Sequence, residues 1–113
     1  MVENINGAEL SWRIFVAKGV HYLNFWTRWN KECDVMFRIM NELSNRYSGH
    51  FCYIDYEEQE EASSQLEVYG VPTLLVFREG RIIARYSGLL RPQEVESIVR
   101  ASDPARSHEL RKT

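Results

Sequence analysis

The sequence predicts a single α/β domain with the element order (β)αβαβαββα, and three observations indicate this class. The first is a near-continuous apolar run, Val20–Trp26, typical of a central strand that is covered on both faces. The second is a long amphipathic stretch that opens at Asn30. The third is a pair of apolar strands joined at Glu79 and Gly80, which indicates a hairpin. A chain of 113 residues can bury one hydrophobic core but not two.

The chain before the central strand predicts one helix. Asn6 is its expected N-cap, and Glu9, three residues later, completes a capping box. Gly19 ends the helix. The apolar residues of its inward face are Leu10, Ile14 and Ala17, with Trp12 and Phe15 at the margins. Residues 1–5 leave room for only a short strand before this helix.

The long helix after the central strand is predicted from its periodicity. Its apolar residues fall at steps of three and four, namely Cys33, Met36, Phe37, Met40, Leu43 and Tyr47. The helix starts at a tight junction with the strand, where unpaired main-chain N–H groups stabilise an anion or a thiolate. Asn30, which is not a nucleophile, occupies this start, and the nearest thiol is Cys33.

The second half of the chain predicts three strands and two helices. Residues 50–56 form a strand, and residues 57–69 form a surface helix with an acidic first turn that ends at Gly70. The inward stripe of this helix is Ala62, Leu66 and Tyr69. Strands 73–77 and 81–86 make the hairpin, and Pro92 begins a last helix with Val95, Ile98 and Val99 inward. The domain is expected to span residues 1–101, followed by a polar, flexible tail at 102–113.

Composition excludes several classes of function. A net charge of −2 gives no electrostatic case for binding nucleic acid or an anionic membrane. No apolar run approaches the length of a membrane span, and the first residues do not form a signal peptide. Two cysteines and the scattered histidines (His21, His50 and His108) form neither a disulfide framework nor a metal site, so no cofactor is expected. The expected setting is the reducing cytoplasm.

Several short motifs, taken together in their spacing, resemble the thioredoxin family over residues 8–100. They are Phe25-Trp26-Thr27-Arg28-Trp29 with Cys33, then Asp55, Gly70-Val71-Pro72-Thr73, Phe77-Arg78-Glu79-Gly80 and Gly88. The resemblance implies a thioredoxin fold, in which a central mixed sheet has helices on both faces. It also implies a cis peptide bond between Val71 and Pro72, beside the start of the long helix.

The chain departs from the family at the positions that carry its chemistry. Asn30-Lys31-Glu32-Cys33 stands in place of the Cys-x-x-Cys pair, so the resemblance assigns Asn30 to the nucleophilic cysteine and Cys33 to the resolving one. The family's buried acid corresponds to Asn24, and its buried lysine to Phe51. Dithiol exchange needs an attacking thiolate and a second thiol that a base helps to deprotonate. The departures therefore predict that oxidoreductase turnover is lost.

The same residues also have simpler interpretations. Asn30 is expected to be a helix N-cap, and Cys33 a small buried residue on the helix stripe. Cys52 is expected in the core, and a Cys33–Cys52 bridge is not, because Cys33 should lie at the far end of the sheet. Trp26 is expected in the core, whereas Trp29 is the better candidate for an exposed binding residue.

Two function classes remain. The favoured one is a redox-inactive protein-binding module (a chaperone, assembly factor or scaffold) that docks an extended peptide by main-chain pairing. Its peptide-binding residues would be Trp29, Val71, Pro72, Thr73 and Gly88. The alternative is a monothiol redox protein that uses Cys33 in mixed disulfides or glutathionylation. No Ser/His/Asp set, Gly-rich phosphate loop or pair of acids indicates another enzyme class, and the sequence identifies neither the partner nor the oligomeric state.

Overall fold

A computed structural model describes residues 2–102 of the chain. These residues form a five-stranded mixed sheet with the strand order β1-β3-β2-β4-β5. The strands are β1 (Glu3–Ile5), β2 (Val20–Trp26), β3 (His50–Asp55), β4 (Thr73–Arg78) and β5 (Arg81–Ser87). β1 and β2 both pair with β3 in parallel, whereas β4 is antiparallel to β2 and to β5. The short first strand is therefore an edge strand, and β2 is central as predicted.

Helices cover both faces of the sheet, as the family resemblance implied. They are α1 (Lys31–Ser44), α2 (Glu60–Gln65) and α3 (Pro92–Ser102). On one face α1 and α3 bury a cluster that includes Tyr22, Met36, Met40, Leu74 and Val99. On the other face α2 and the segment before β2 bury Leu10, Ile14, Leu23, Phe25 and Ile54. Successive residues of β2 thus enter two different cores, which explains its unbroken apolar run.

The segment before β2 is not the single helix that the sequence predicts. The predicted capping box is present, with Asn6 Oδ1 accepting from the Glu9 N–H and Glu9 accepting from the Asn6 N–H. It is followed by two short helical pieces, Gly7–Glu9 and the wider π-type turn Ser11–Phe15. The second piece ends where the hairpin lies against it: a Cβ at Gly80 would come within 2.0 Å of the Phe15 carbonyl oxygen. Tertiary contact sets this helix end, and Ala17 lies beyond it.

Helix α1 agrees with its predicted periodicity except at two aromatic residues. Cys33, Met36, Met40 and Leu43 are buried as expected. Phe37 is 38% exposed, and its ring meets the ring of Tyr53 edge-on, with centroids 5.1 Å apart. Tyr47 lies after the end of the helix, half-buried, and its hydroxyl donates to Glu96 at 2.7 Å.

Helix α2 is shorter than the predicted helix at 57–69. Asp55 Oδ1 accepts hydrogen bonds from the N–H groups of Glu57 and Glu58 at 2.9 and 3.0 Å, which holds residues 56–59 in turns. At the other end Glu67 has a φ of 56°, a left-handed conformation that ends the helix early. Tyr69 consequently points away from the core and is 80% exposed, so its predicted inward position is wrong.

The C-terminal helix extends one residue into the predicted tail. Ser102 is its last residue and is buried, and its carbonyl accepts from Arg78 Nη2 at 3.0 Å. Residues 103–113, including His108, lie outside the described residues. Among residues 2–102 no helix is both long and apolar enough to cross a membrane.

Candidate functional site

At the junction between β2 and α1, the side chain of Asn30 caps the start of the helix. Trp29 has a φ of 61° and a side chain that is 98% exposed, as predicted for the residue beside the helix start. Asn30 is extended, and its Oδ1 accepts from the Cys33 N–H at 2.9 Å. This bond satisfies one of the donors that would otherwise stabilise an anion at the helix start.

Cys33 lies one turn inside α1 and is 1% exposed. Burial raises the pKa of its thiol, and the opposing hydrogen bonds from the main chain and hydroxyl of Thr27 are too small to cancel this effect. The thiol therefore stays protonated at neutral pH. A protonated, buried thiol is a poor nucleophile.

The sheet beneath the junction carries no ionisable group at the two positions singled out in the sequence. Asn24 is buried in β2 between Tyr53 and Leu74, and its Oδ1 has no hydrogen-bond partner among the described residues. Phe51 is buried in the core between the sheet and helices α1 and α3. Neither side chain can accept a proton, so these two positions supply no base.

The second thiol lies in the core on the side of the sheet covered by α2. Cys52 packs with Ile5 and Leu10 on the face covered by α2, and burial raises its pKa to about 11. Both cysteines are free. The two cysteines form no bridge, as expected: Cys33 lies on α1, whereas Cys52 lies in β3 and packs on the face covered by α2.

An open groove lies beside Pro72, at the start of β4. The Val71–Pro72 peptide bond is cis, as the resemblance implied. The groove has a volume of about 480 Å³ and brings together four of the predicted peptide-binding residues, Val71, Pro72, Thr73 and Gly88. Trp29, the fifth, is not among the residues that line it. We call this feature the docking groove.

The loop that carries the docking groove is held from the neighbouring strand. Arg85 on β5 donates from its guanidinium to the carbonyl of Leu66 at 2.7 Å and to that of Glu67 at 3.0 Å. The Pro72 carbonyl accepts from the Gly88 N–H at 2.8 Å. By contrast, neither the N–H nor the C=O of Val71 has a hydrogen-bond partner among residues 2–102. One donor and one acceptor are thus available at the groove.

A family model described as Thioredoxin matches residues 2–101. The chain belongs to the thioredoxin family. It is 30% identical over 81 residues to a thioredoxin of Staphylococcus aureus (strain Mu50), covering 70% of this chain and 77% of that one. It is 22% identical over 103 residues to a thioredoxin of Pseudomonas aeruginosa, covering 89% and 95%. The solved structure of a mutant thioredoxin from Halobacterium salinarum NRC-1 superposes with a TM-score of 0.83 at 21% identity, over 90% of each chain.

Several residues that line the docking groove were not predicted from the sequence, and Tyr69 and Arg85 are the most informative of them. Tyr69 was placed on a helix stripe, although the helix-breaking residues Gly70 and Pro72 that follow it indicate a loop. Arg85 carried no local signal, because its partners are main-chain carbonyls of a distant segment.

No group of three or more potential metal ligands occurs among residues 2–102.

Proposed function

We propose that this thioredoxin-family chain is a redox-inactive protein-binding module that docks an extended peptide segment in the docking groove. The observation that carries the proposal is the start of α1. There the amide of Asn30 is bound to the Cys33 N–H, and the remaining thiol is 1% exposed. An amide cannot attack a disulfide, so the first step of dithiol exchange has no nucleophile.

The second step lacks its base as well. The buried residue under the junction is Asn24, which has no proton-accepting state at neutral pH. The thiol of Cys33 has a pKa that burial raises, and the negative charges of Asp34 and Glu32 raise it further. These features together favour binding without turnover, and two free cysteines suit a reducing, cytoplasmic setting.

Binding is favoured by the main chain of the groove. Val71 offers one N–H and one C=O without partners among residues 2–102, next to the apolar surfaces of Pro72 and Tyr69. An extended segment can pair with such groups as an added strand, while its side chains contact the walls. A chaperone, an assembly factor or a scaffold domain would use the same contact.

The monothiol alternative requires a reactive Cys33. A mixed disulfide or glutathione adduct forms on an accessible thiolate, whereas this thiol is buried and protonated. Opening of the first turn of α1 would have to precede any reaction. We therefore place peptide docking ahead of monothiol chemistry.

The test follows the amide of Val71 by NMR while an extended peptide of alternating valine and glutamine is added. Docking in the groove should shift the Val71 amide signal and slow its hydrogen exchange. The matched control is the amide of Ile83, which lies on β5, one of the two edge strands of the sheet that a peptide could join. Protection of Ile83 without protection of Val71 would place the peptide on that edge and refute the proposed groove.

A further inference from the structure

The docking groove continues beyond Tyr69 into a second depression. This depression has a volume of about 640 Å³ and shares Val68 and Tyr69 with the docking groove. Its remaining walls are formed by Tyr56, Glu57, Glu60, Ser63 and Ser64. We call it the acidic extension. A segment that lies along the docking groove past Tyr69 enters it directly.

The acidic extension carries negative charge that no neighbour compensates within the described part of the chain. Residues 57–70 contain five glutamates and neither lysine nor arginine. Glu58 pairs with Arg28 at 3.8 Å, but Glu57 and Glu60 form no ion pair with any residue between 2 and 102. Arg85, which lines the docking groove, directs its guanidinium to the carbonyls of residues 66 and 67. Two exposed carboxylates are thus left at the extension.

An aromatic ring stands between the two compartments. Tyr69 is 80% exposed, and within the described part of the chain its ring makes no aromatic or cation–π contact. A lysine or arginine next to this ring would meet the negative face of the aromatic system and the two carboxylates together. In an extended peptide, side chains on the same side recur about every 7 Å, so a cation can follow an apolar side chain in the groove.

From this juxtaposition we infer that the docked segment is basic: it belongs to another protein and places a lysine or arginine in the acidic extension. The inference rests on the proposed function and adds the chemistry of the partner. The apolar side chains of the segment contact Val71 and Pro72, and its cation lies between Tyr69 and the carboxylates of Glu57 and Glu60.

The experiment measures binding of three labelled peptides to the full chain by fluorescence anisotropy at low salt. The peptides alternate valine with lysine, with glutamine or with glutamate. We expect the lysine peptide to bind most tightly. Glu57→Gln with Glu60→Gln should weaken its binding about threefold to tenfold and leave the glutamine peptide unchanged, because two partly exposed ion pairs are removed.

The matched control is Glu58→Gln with Glu61→Gln. These residues come from the same acidic run and change the net charge equally, but neither lines the acidic extension. They line a neighbouring depression together with Gly7, Ala8 and Glu60. The control pair should keep the preference for lysine. An equal loss in both double variants would mean that the general field of the chain attracts the peptide, and would overturn the inference.

The other outcomes separate this inference from the proposed function. If the lysine and glutamine peptides bind equally, the basic segment is refuted while peptide docking stands. If no peptide binds, both fail. Tighter binding in the full chain with Arg111→Gln and Lys112→Gln would show that its own tail competes for the groove. Self-association of the chain that Glu57→Gln with Glu60→Gln abolishes would assign the groove to a second copy. Either result would overturn the inference that the docked segment belongs to another protein.

Discussion

Two loops lie at the same end of the sheet and differ in whether their polar groups are hydrogen-bonded. Phe25 near the end of β2 pairs with Thr73 at the start of β4, so the loop after one strand lies beside the loop before the other. In the first loop Asn30 caps the helix and Cys33 is buried beneath it. In the second, Val71 leaves its main-chain groups without partners among residues 2–102.

The difference separates what stabilises this end of the molecule from what it can bind. A satisfied helix start contributes to folding and offers little to a ligand. A loop with free main-chain groups and an exposed aromatic contributes little to folding, but it is ready for a partner. Changes to the first loop should therefore alter stability or chemistry, and changes to the second should alter binding alone.

The largest expected effect concerns chemistry at the first loop. The native chain should reduce insulin disulfides in the presence of dithiothreitol no faster than the background rate, because Asn30 cannot form a mixed disulfide. Asn30→Cys should raise the rate measurably but leave it well below that of an ordinary thioredoxin, since Asn24 supplies no base. If the native chain reduced insulin as fast as an ordinary thioredoxin does, the first loop would be chemically active and the proposed contrast with the second loop would fail.

The second-largest effect is expected in the alkylation rate of Cys33. Alkylation by iodoacetamide should be at least about tenfold slower in the folded chain than in urea, because the thiol is buried and its pKa is raised. The folded chain holds this proton to a higher pH than the unfolded chain does. The folded rate should therefore rise only in alkaline solution, where the stability that this thiol contributes also declines. Mass spectrometry of each cysteine separates Cys33 from Cys52. A fast rate at neutral pH would support the monothiol alternative.

Substitution of Cys33 should destabilise the fold. Cys33→Ser places a smaller and more polar hydroxyl in a site that is 1% exposed and should lower the free energy of unfolding by about 1–3 kcal/mol. Cys33→Ala removes the same thiol without adding a polar group and should cost less. Urea unfolding followed by circular dichroism compares the two variants. Equal costs would show that packing volume, and not polarity, governs this position.

A smaller loss of stability is expected when the N-cap of α1 is removed. Asn30→Ala removes the acceptor for the Cys33 N–H and should lower the free energy of unfolding by about 1 kcal/mol. Asn30→Ser keeps an acceptor and should retain most of the stability. If alanine and serine behave alike in urea unfolding, the cap is not what stabilises the first loop.

The smallest effect on stability is expected in the second loop. Tyr69→Ala removes a side chain that is 80% exposed and should change the free energy of unfolding by less than about 0.5 kcal/mol. The same variant should weaken peptide binding in the anisotropy assay, because it removes the wall shared by the groove and the acidic extension. A large loss of stability would mean that this loop also supports the fold.

The sequence predicts the parts of this structure whose signals are local. Val20–Trp26 is apolar throughout because β2 is covered on both faces, and Asn30 precedes an amphipathic helix that it does cap. The motifs at Trp29 and Pro72 indicate the fold family because their spacing reflects the whole topology. The strand and the cap depend on residues that are close together in the chain, whereas the family depends on several short motifs taken together.

Several of the predictions that failed depend on contacts between distant segments. The helix expected at 57–69 ends early, and Arg85 on β5 holds the carbonyls of Leu66 and Glu67 just after that end. No property of the sequence around Glu67 indicates a left-handed residue. Tyr69 consequently lines the docking groove instead of entering the core.

The mixed pairing of the sheet has a consequence for the order of folding. The hairpin of β4 and β5 brings together residues that are close in the chain, and such hairpins form within microseconds. The parallel pairing of β2 with β3 must instead wait for the crossover through α1, and closing a long loop slows folding. The hairpin supplies one side of the docking groove, with Thr73 and Arg85, whereas the capped helix start belongs to the second unit. When the whole chain refolds, the hairpin can therefore form before the thiol of Cys33 is buried under α1, and only the β2–β4 ladder brings the two loops side by side.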